Sequence, residues 1–206
     1  MTYHFAAIIE QFSTPPVAIG HSFGGLIAQK LLGENKVAAA VAIDPAPIKG
    51  VKPLPFAQLR SAFPVLGNPL NRGRAKALTP KQFRYGFGNA LSEAESESLW
   101  EQWSIPSPGK PLFEAATANF TPNSPAEVNT ANAGRGPLLI TAGTADHTVP
   151  HVSAKAAYKQ YAKSAAVTNF HTFDGAGHSL TMDHRWREVA DVTLSWLNAN
   201  GFAAQH

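Results

Sequence analysis

The 206-residue chain has no cysteine, which excludes disulfides, a thiol nucleophile and cysteine-ligated metals while leaving the redox compartment open. Charge is sparse as well. Asp, Glu, Lys and Arg make up 15% of the residues for a formal net charge of +3, with no run of one sign and no basic stripe interleaved with aromatics. Nucleic acid is therefore a poor partner. No uninterrupted apolar segment is long enough to span a bilayer, and the start Met1-Thr2-Tyr3-His4 has no basic region leading into an apolar core. The expectation is a soluble, cytoplasmic protein. With 44% apolar residues, disorder and fibre classes drop out and one domain with a sizeable core is expected.

What the chain does have is a short apolar run, Val17-Ala18-Ile19, followed by Gly20-His21-Ser22-Phe23-Gly24 and a helix-forming stretch. A strand, a sharp turn and a helix in that order expose a serine as a nucleophile. Gly20 and Gly24 are expected to remove side chains that would clash across the turn, and Leu26, Ile27, Lys30 and Leu31 follow at helical spacing. The pentapeptide alone is a weak signal. Its context makes it informative, because a motif counts when the predicted elements flank it.

Two textures alternate along the chain. Residues 1–50 and 135–206 read as a core of short β-rich runs and helical patterns. Helices are predicted at Phe5–Phe12, Leu26–Leu32, Val152–Lys163 and His184–Leu197, and strands at Val17–Ile19, Val37–Ile43, Leu138–Thr141 and Val167–Phe173. That alternation predicts an α/β fold, a parallel sheet with flanking helices. In the last helix Trp186, Val189, Ala190, Thr193, Leu194 and Leu197 form the expected core stripe. Residues 51–134 hold 10 of the 16 prolines and no convincing strand. Thr79 before Pro80, and Ser92 with Glu95, signal helix starts, so this zone is expected to be a helical cap or lid insertion. Most of its aromatics should hold the insertion together, with Phe87, Trp100 and Trp103 as candidates for the substrate pocket.

A serine hydroxyl needs a base within hydrogen-bond reach and a group that orients the base. Leu138 to Pro150 reads as a buried strand whose following loop carries Asp146, and Phe173-Asp174-Gly175-Ala176-Gly177-His178 as a strand ending in a glycine-flanked histidine. Parallel strands deliver such loops to one edge of the sheet. Ser22, Asp146 and His178, in that order and with an insertion before the acid, resemble the α/β-hydrolase fold family. The resemblance runs from about residue 3 to 200 and rests on the Gly-His-Ser-Phe-Gly-Gly turn, Gly143-x-x-Asp146-x-x-Val149-Pro150 and Gly175-x-Gly177-His178. It implies that Ser22 attacks a carbonyl, His178 takes its proton, Asp146 orients the imidazole and the Phe23 N–H faces the oxyanion.

The competing candidates are Asp44, at the end of the strand after the serine, for the acid, and His21, read as packing beside the serine. His147 and His151 could mimic a metal pair, but a surface loop is the better reading, and Asp174 and Asp183 read as turn residues. No cofactor or metal is implied.

The resemblance departs in one place. The family usually places several strands, and a loop carrying a second oxyanion donor, before the serine turn, which here arrives at residue 22. The sequence resembles an N-terminally truncated hydrolase, and loss of one oxyanion donor costs about 2.7–4 kcal/mol. A strand at Val17–Ile19 left at the sheet edge needs cover, so a homodimer or higher oligomer is expected. The function expected is hydrolysis of small or medium-chain carboxylic esters through an acyl-enzyme. The alternatives are a catalytically weak remnant acting in binding or assembly, or perhydrolase, thioesterase or lactonase chemistry on the same three residues.

Overall fold

The computed structural model describes residues 2–202. The chain opens with α1 (Thr2–Ile9), β1 (Val17–His21), α2 (Phe23–Gly33) and β2 (Ala39–Ile43). An insertion follows, made of α3 (Phe56–Leu66), β3 (Ala75–Lys76), α4 (Pro80–Gly86), α5 (Glu93–Trp103), β4 (Ser107–Pro108) and α6 (Lys110–Ala116). The chain then returns through β5 (Leu138–Gly143), α7 (His151–Lys159), β6 (Thr168–Phe173) and α8 (Trp186–Ala199).

β1, β2, β5 and β6 form one parallel sheet in that order, with Val17 opposite Ala39, Ala40 opposite Leu138 and Leu138 opposite Thr168. Successive strands are neighbours, so right-handed crossovers put α2 and α7 on the same face. The period of two in the strands separates the two cores. Ala40, Ala42, Leu138 and Ile140 pack with Leu26, Leu31 and Leu32 of α2 and with Ala157 and Tyr161. Val41, Ile43, Leu139 and Phe173 face the other way, onto Val189 and Leu197 of α8. β2 is buried at all five positions, as a central parallel strand should be. All four C-terminal ends reach one edge of the sheet, with β1 as an outer strand.

The element order follows the sequence pattern, and the differences have local causes. α1 stops at Ile9 rather than Phe12, because Gln11 and Phe12 turn to tighter three-residue bonds ahead of Pro15-Pro16. α7 gives way to a 3₁₀ turn over Gln160–Lys163. In α8, Trp186 and Leu194 are exposed, unlike the stripe expected of them. The covered face is narrower, with Val189, Thr193 and Leu197 buried and Val192 and Trp196 beside them.

The insertion is helical apart from a two-residue antiparallel ribbon between β3 and β4, too short to leave an alternating signal. Thr79 caps α4 in a reciprocal box with Gln82. Ser92 accepts the Glu95 N–H at 3.2 Å, but the Glu95 carboxylate turns away to the His184 ring and N–H, tying α5 to the segment before α8. Phe83, Leu91 and Leu99 form the insertion's own core, with Leu78, Phe87, Trp100 and Met182 packed on it. No helix among the described residues is long and apolar enough to cross a membrane.

Candidate active site

Ser22 sits between the end of β1 and the start of α2 with φ 54° and ψ −119°, a backbone conformation that non-glycine residues hold only when the surroundings enforce it. The enforcement is visible. Its N–H donates to the Ile43 carbonyl at 3.0 Å, and its carbonyl accepts from Ala46, Gly25 and Leu26. A Cβ on Gly20 would collide with the Gly24 carbonyl, as the sequence suggested. Gly24 is different, since a Cβ there meets open space; the second tight approach belongs to Gly25, which lies against Pro45. The turn packs on the segment after β2, a contact across the sheet that local sequence does not reveal.

Asp146 hangs from the loop after β5. Its Oδ1 accepts the N–H groups of Thr148 and Val149 at 2.7 and 2.8 Å, which fixes the carboxylate from behind. Its Oδ2 lies 2.6 Å from His178 Nδ1, both side chains being fully buried. Burial pushes Asp146 upward, but the His178 ring, its hydrogen bond and the Val149 N–H hold it down at about 2. Asp146 is thus an acceptor, and Nδ1 of His178 must carry the proton it receives. That leaves Nε2 as an acceptor, 3.0 Å from Ser22 Oγ. The structure therefore brings Ser22, His178 and Asp146 into one hydrogen-bonded line, with the N-terminus of α2 and the Phe23 N–H directly after the serine.

The His21 ring lies beside this line, its centroid 4.6 Å from that of His178. Burial above all, then the neighbouring His178 ring, hold His21 down at about 3, and its Nε2 is buried without a partner. It is a neutral wall to the His178 ring.

Comparison with known families gives a match to the alpha/beta hydrolase family over residues 3–192. The chain belongs to that family. A search of curated proteins finds no match. Among solved structures the chain resembles a monoacylglycerol lipase of Paleococcus ferrophilus, at 20% identity and a TM-score of 0.63 over 97% of this chain and 74% of that one. An extracellular alpha/beta-hydrolase from a Paenibacillus species shares 18% identity with a TM-score of 0.66, over 94% and 77% of the two chains. An esterase of Rhodococcus sp. ECU1013 shares 23% identity with a TM-score of 0.58, over 90% and 66%. At these identities the likeness is one of fold.

In this chain the insertion rests on the two loops that carry Asp146 and His178. Phe87 meets the His178 ring edge-on at 5.0 Å. Asn89 donates to the Ala145 carbonyl at 2.7 Å, the Tyr85 carbonyl faces His147 Nδ1 at 3.0 Å, and Thr148 donates to the Gly86 carbonyl at 2.8 Å. Asn89 and Tyr85 carried no sequence signal, because these bonds join loops about sixty residues apart. Trp100 and Trp103 are not brought to the serine. Trp100 packs inside the insertion and donates to the Leu78 carbonyl, and Trp103 is exposed at the end of α5. His147 and His151 take separate partners, the latter Thr172. Asp174 accepts from Thr144, and Asp183 accepts from the Ser179 hydroxyl and the Arg185 N–H, as turn residues do.

Proposed function

We propose that the protein is a serine hydrolase that cleaves small or medium-chain carboxylic esters through an acyl-enzyme. Ser22 Oγ attacks the ester carbonyl while His178 Nε2 takes its proton; the alcohol leaves with that proton, and a water activated by the same nitrogen releases the acid and restores the serine. Asp146 keeps the imidazole in the required tautomer and stabilises the imidazolium. The Phe23 N–H, at the positive end of α2, donates to the tetrahedral oxyanion. The observation that carries this reading is the unbroken chain of contacts, 3.0 Å from Ser22 Oγ to His178 Nε2 and 2.6 Å from His178 Nδ1 to Asp146. Lipase and esterase structures among the fold neighbours support it.

Residues 51–134 are read as a cap over the site, supported by the edge contact of Phe87 on His178 and by the bonds from Asn89 and Gly86 to the acid loop. The test is hydrolysis of p-nitrophenyl esters of graded chain length by the wild type, Ser22→Ala, His178→Ala, Asp146→Asn and Asp44→Asn. Ser22→Ala and His178→Ala should abolish most turnover, and Asp146→Asn should lower kcat on the order of 10⁴-fold by reversing the tautomer. Asp44→Asn should retain far more activity. A larger loss at Asp44 than at Asp146 would overturn the assignment of the acid.

A further inference from the structure

Asp44 ends β2 with φ 40° and is fully buried, a strained and desolvated position that the reaction above does not use. Its Oδ2 accepts the Gly143 N–H at 3.2 Å, and its Oδ1 is buried with no hydrogen-bond partner. One carboxylate oxygen of Asp44, one of Asp146 and one ring nitrogen of His178 lie within 4.8 Å of one another. Two carboxylates this close and this dry do not both ionise, so one keeps a proton. Hydrogen bonding decides which. Asp146 has two backbone N–H donors on one oxygen and the His178 ring on the other, whereas Asp44 has one long N–H bond and the neutral Thr141 hydroxyl beside it. The negative charge belongs on Asp146 and the proton on Asp44.

We propose that Asp44 stays a neutral carboxylic acid during turnover and donates its proton in a hydrogen bond to Asp146, positioning the carboxylate that orients His178. The proposal deepens the Ser-His-Asp reading and rests on it. It gives the orphaned Oδ1 its missing partner and explains an acid held in a left-handed backbone at the core of the site. The other groups facing this cluster do not supply a counter-charge to an ionised Asp44. Gly143 offers a backbone N–H, Thr141 a hydroxyl, and His21, which faces His178 and Asp146 from the end of β1, is neutral. Burial first, then the charge and hydrogen bond of Asp146, push the Asp44 carboxyl well above its ordinary range, against smaller pulls from Gly143 and Thr141. His178 is the one cationic group the cycle creates, and it forms against Asp146, already bonded to it. Asp44 is therefore a positioning residue that acts through Asp146.

The test combines infrared difference spectroscopy with ester kinetics on the full chain. At neutral pH the wild type should show a protonated-carboxyl C=O band, shifted in deuterium oxide, that Asp44→Asn lacks. Asp44→Asn, whose amide can donate from the same place, should keep kcat within about threefold, while Asp44→Ala lowers kcat about ten- to a hundredfold with KM little changed. Absence of a band difference, or an Asp44→Asn enzyme as slow as Asp44→Ala, overturns the proposal. Should Asp44→Ala fail to fold, the infrared comparison decides alone. A wild type that turns over no ester counts against the hydrolase reading, and the band still reports where the proton sits.

Discussion

At the scale of single residues, the site is a set of polar groups whose charges are separated by what surrounds them. Asp146 is bonded on both oxygens and held at about 2, while the half-buried His21, its ring 4.6 Å from that of His178, is held at about 3. The second of these has a consequence for stability. An unfolded histidine takes a proton near 6.5, whereas folded His21 does so only near 3. Between these values the unfolded state binds a proton that the folded state refuses, so His21 erodes stability as pH falls from 6.5 towards 3. Above 6.5 it contributes nothing of this kind. Because Nε2 has no partner, an apolar ring of similar shape removes a buried polar atom that makes no hydrogen bond. His21→Phe should therefore flatten the fall in the urea midpoint between neutral pH and the top of the carboxylate range. A variant whose midpoint falls as steeply as that of the wild type contradicts the neutral assignment of His21. Asp146 acts in a lower window, its stabilisation being complete above 3.8 and lost as pH falls through about 2, so the two effects separate in one titration.

At the scale of elements, the insertion is the part whose role is least fixed by its own sequence. Phe87 touches His178, whereas Trp100 packs on the insertion's own apolar cluster and donates to the Leu78 carbonyl. Phe87→Ala should therefore alter acyl-chain preference across a p-nitrophenyl ester series with a small change in melting temperature. Trp100→Ala should do the reverse, costing about 2–3 kcal/mol, somewhat less than truncation of a fully buried aromatic. Equal changes in preference from both would show that the insertion shapes the pocket as a whole. The four long strands were legible because each is a short β-rich run followed by a turn, and Ser22, Asp146 and His178 stood out because each follows such a run. The fine structure was not legible. The exposure of Leu194 depends on how α8 lies on the sheet, and the close approach of Gly25 to Pro45 joins a helix to a distant loop. The seating of Asn89 and Tyr85 on the acid loop is likewise a contact between segments with no shared local pattern.

At the scale of the whole molecule, β1 stands at one end of the sheet with its outer backbone groups unpaired by any strand among the described residues. Parallel sheets are ordinarily covered on both faces, yet Ile19 is 54% exposed, and Tyr3, Phe5 and Phe12 of the N-terminal segment are exposed nearby in sequence. An open strand that carries the serine invites pairing. The expected outcome at micromolar concentration is a dimer or higher oligomer by light scattering, with protection of β1 and α1 amides in hydrogen exchange. A monomer with fast-exchanging β1 amides contradicts it. The central claim, a covalent intermediate on Ser22 formed by the line through His178 to Asp146, is tested most directly by stopped-flow mixing with excess short-chain p-nitrophenyl ester and mass analysis of the quenched protein. The account predicts a burst of nitrophenol of about one equivalent per chain when deacylation is slower than acylation, and an acyl group mapped to Ser22. A wild type that turns over ester with no acyl group on Ser22, or a Ser22→Ala variant that does so at the same rate, would contradict it.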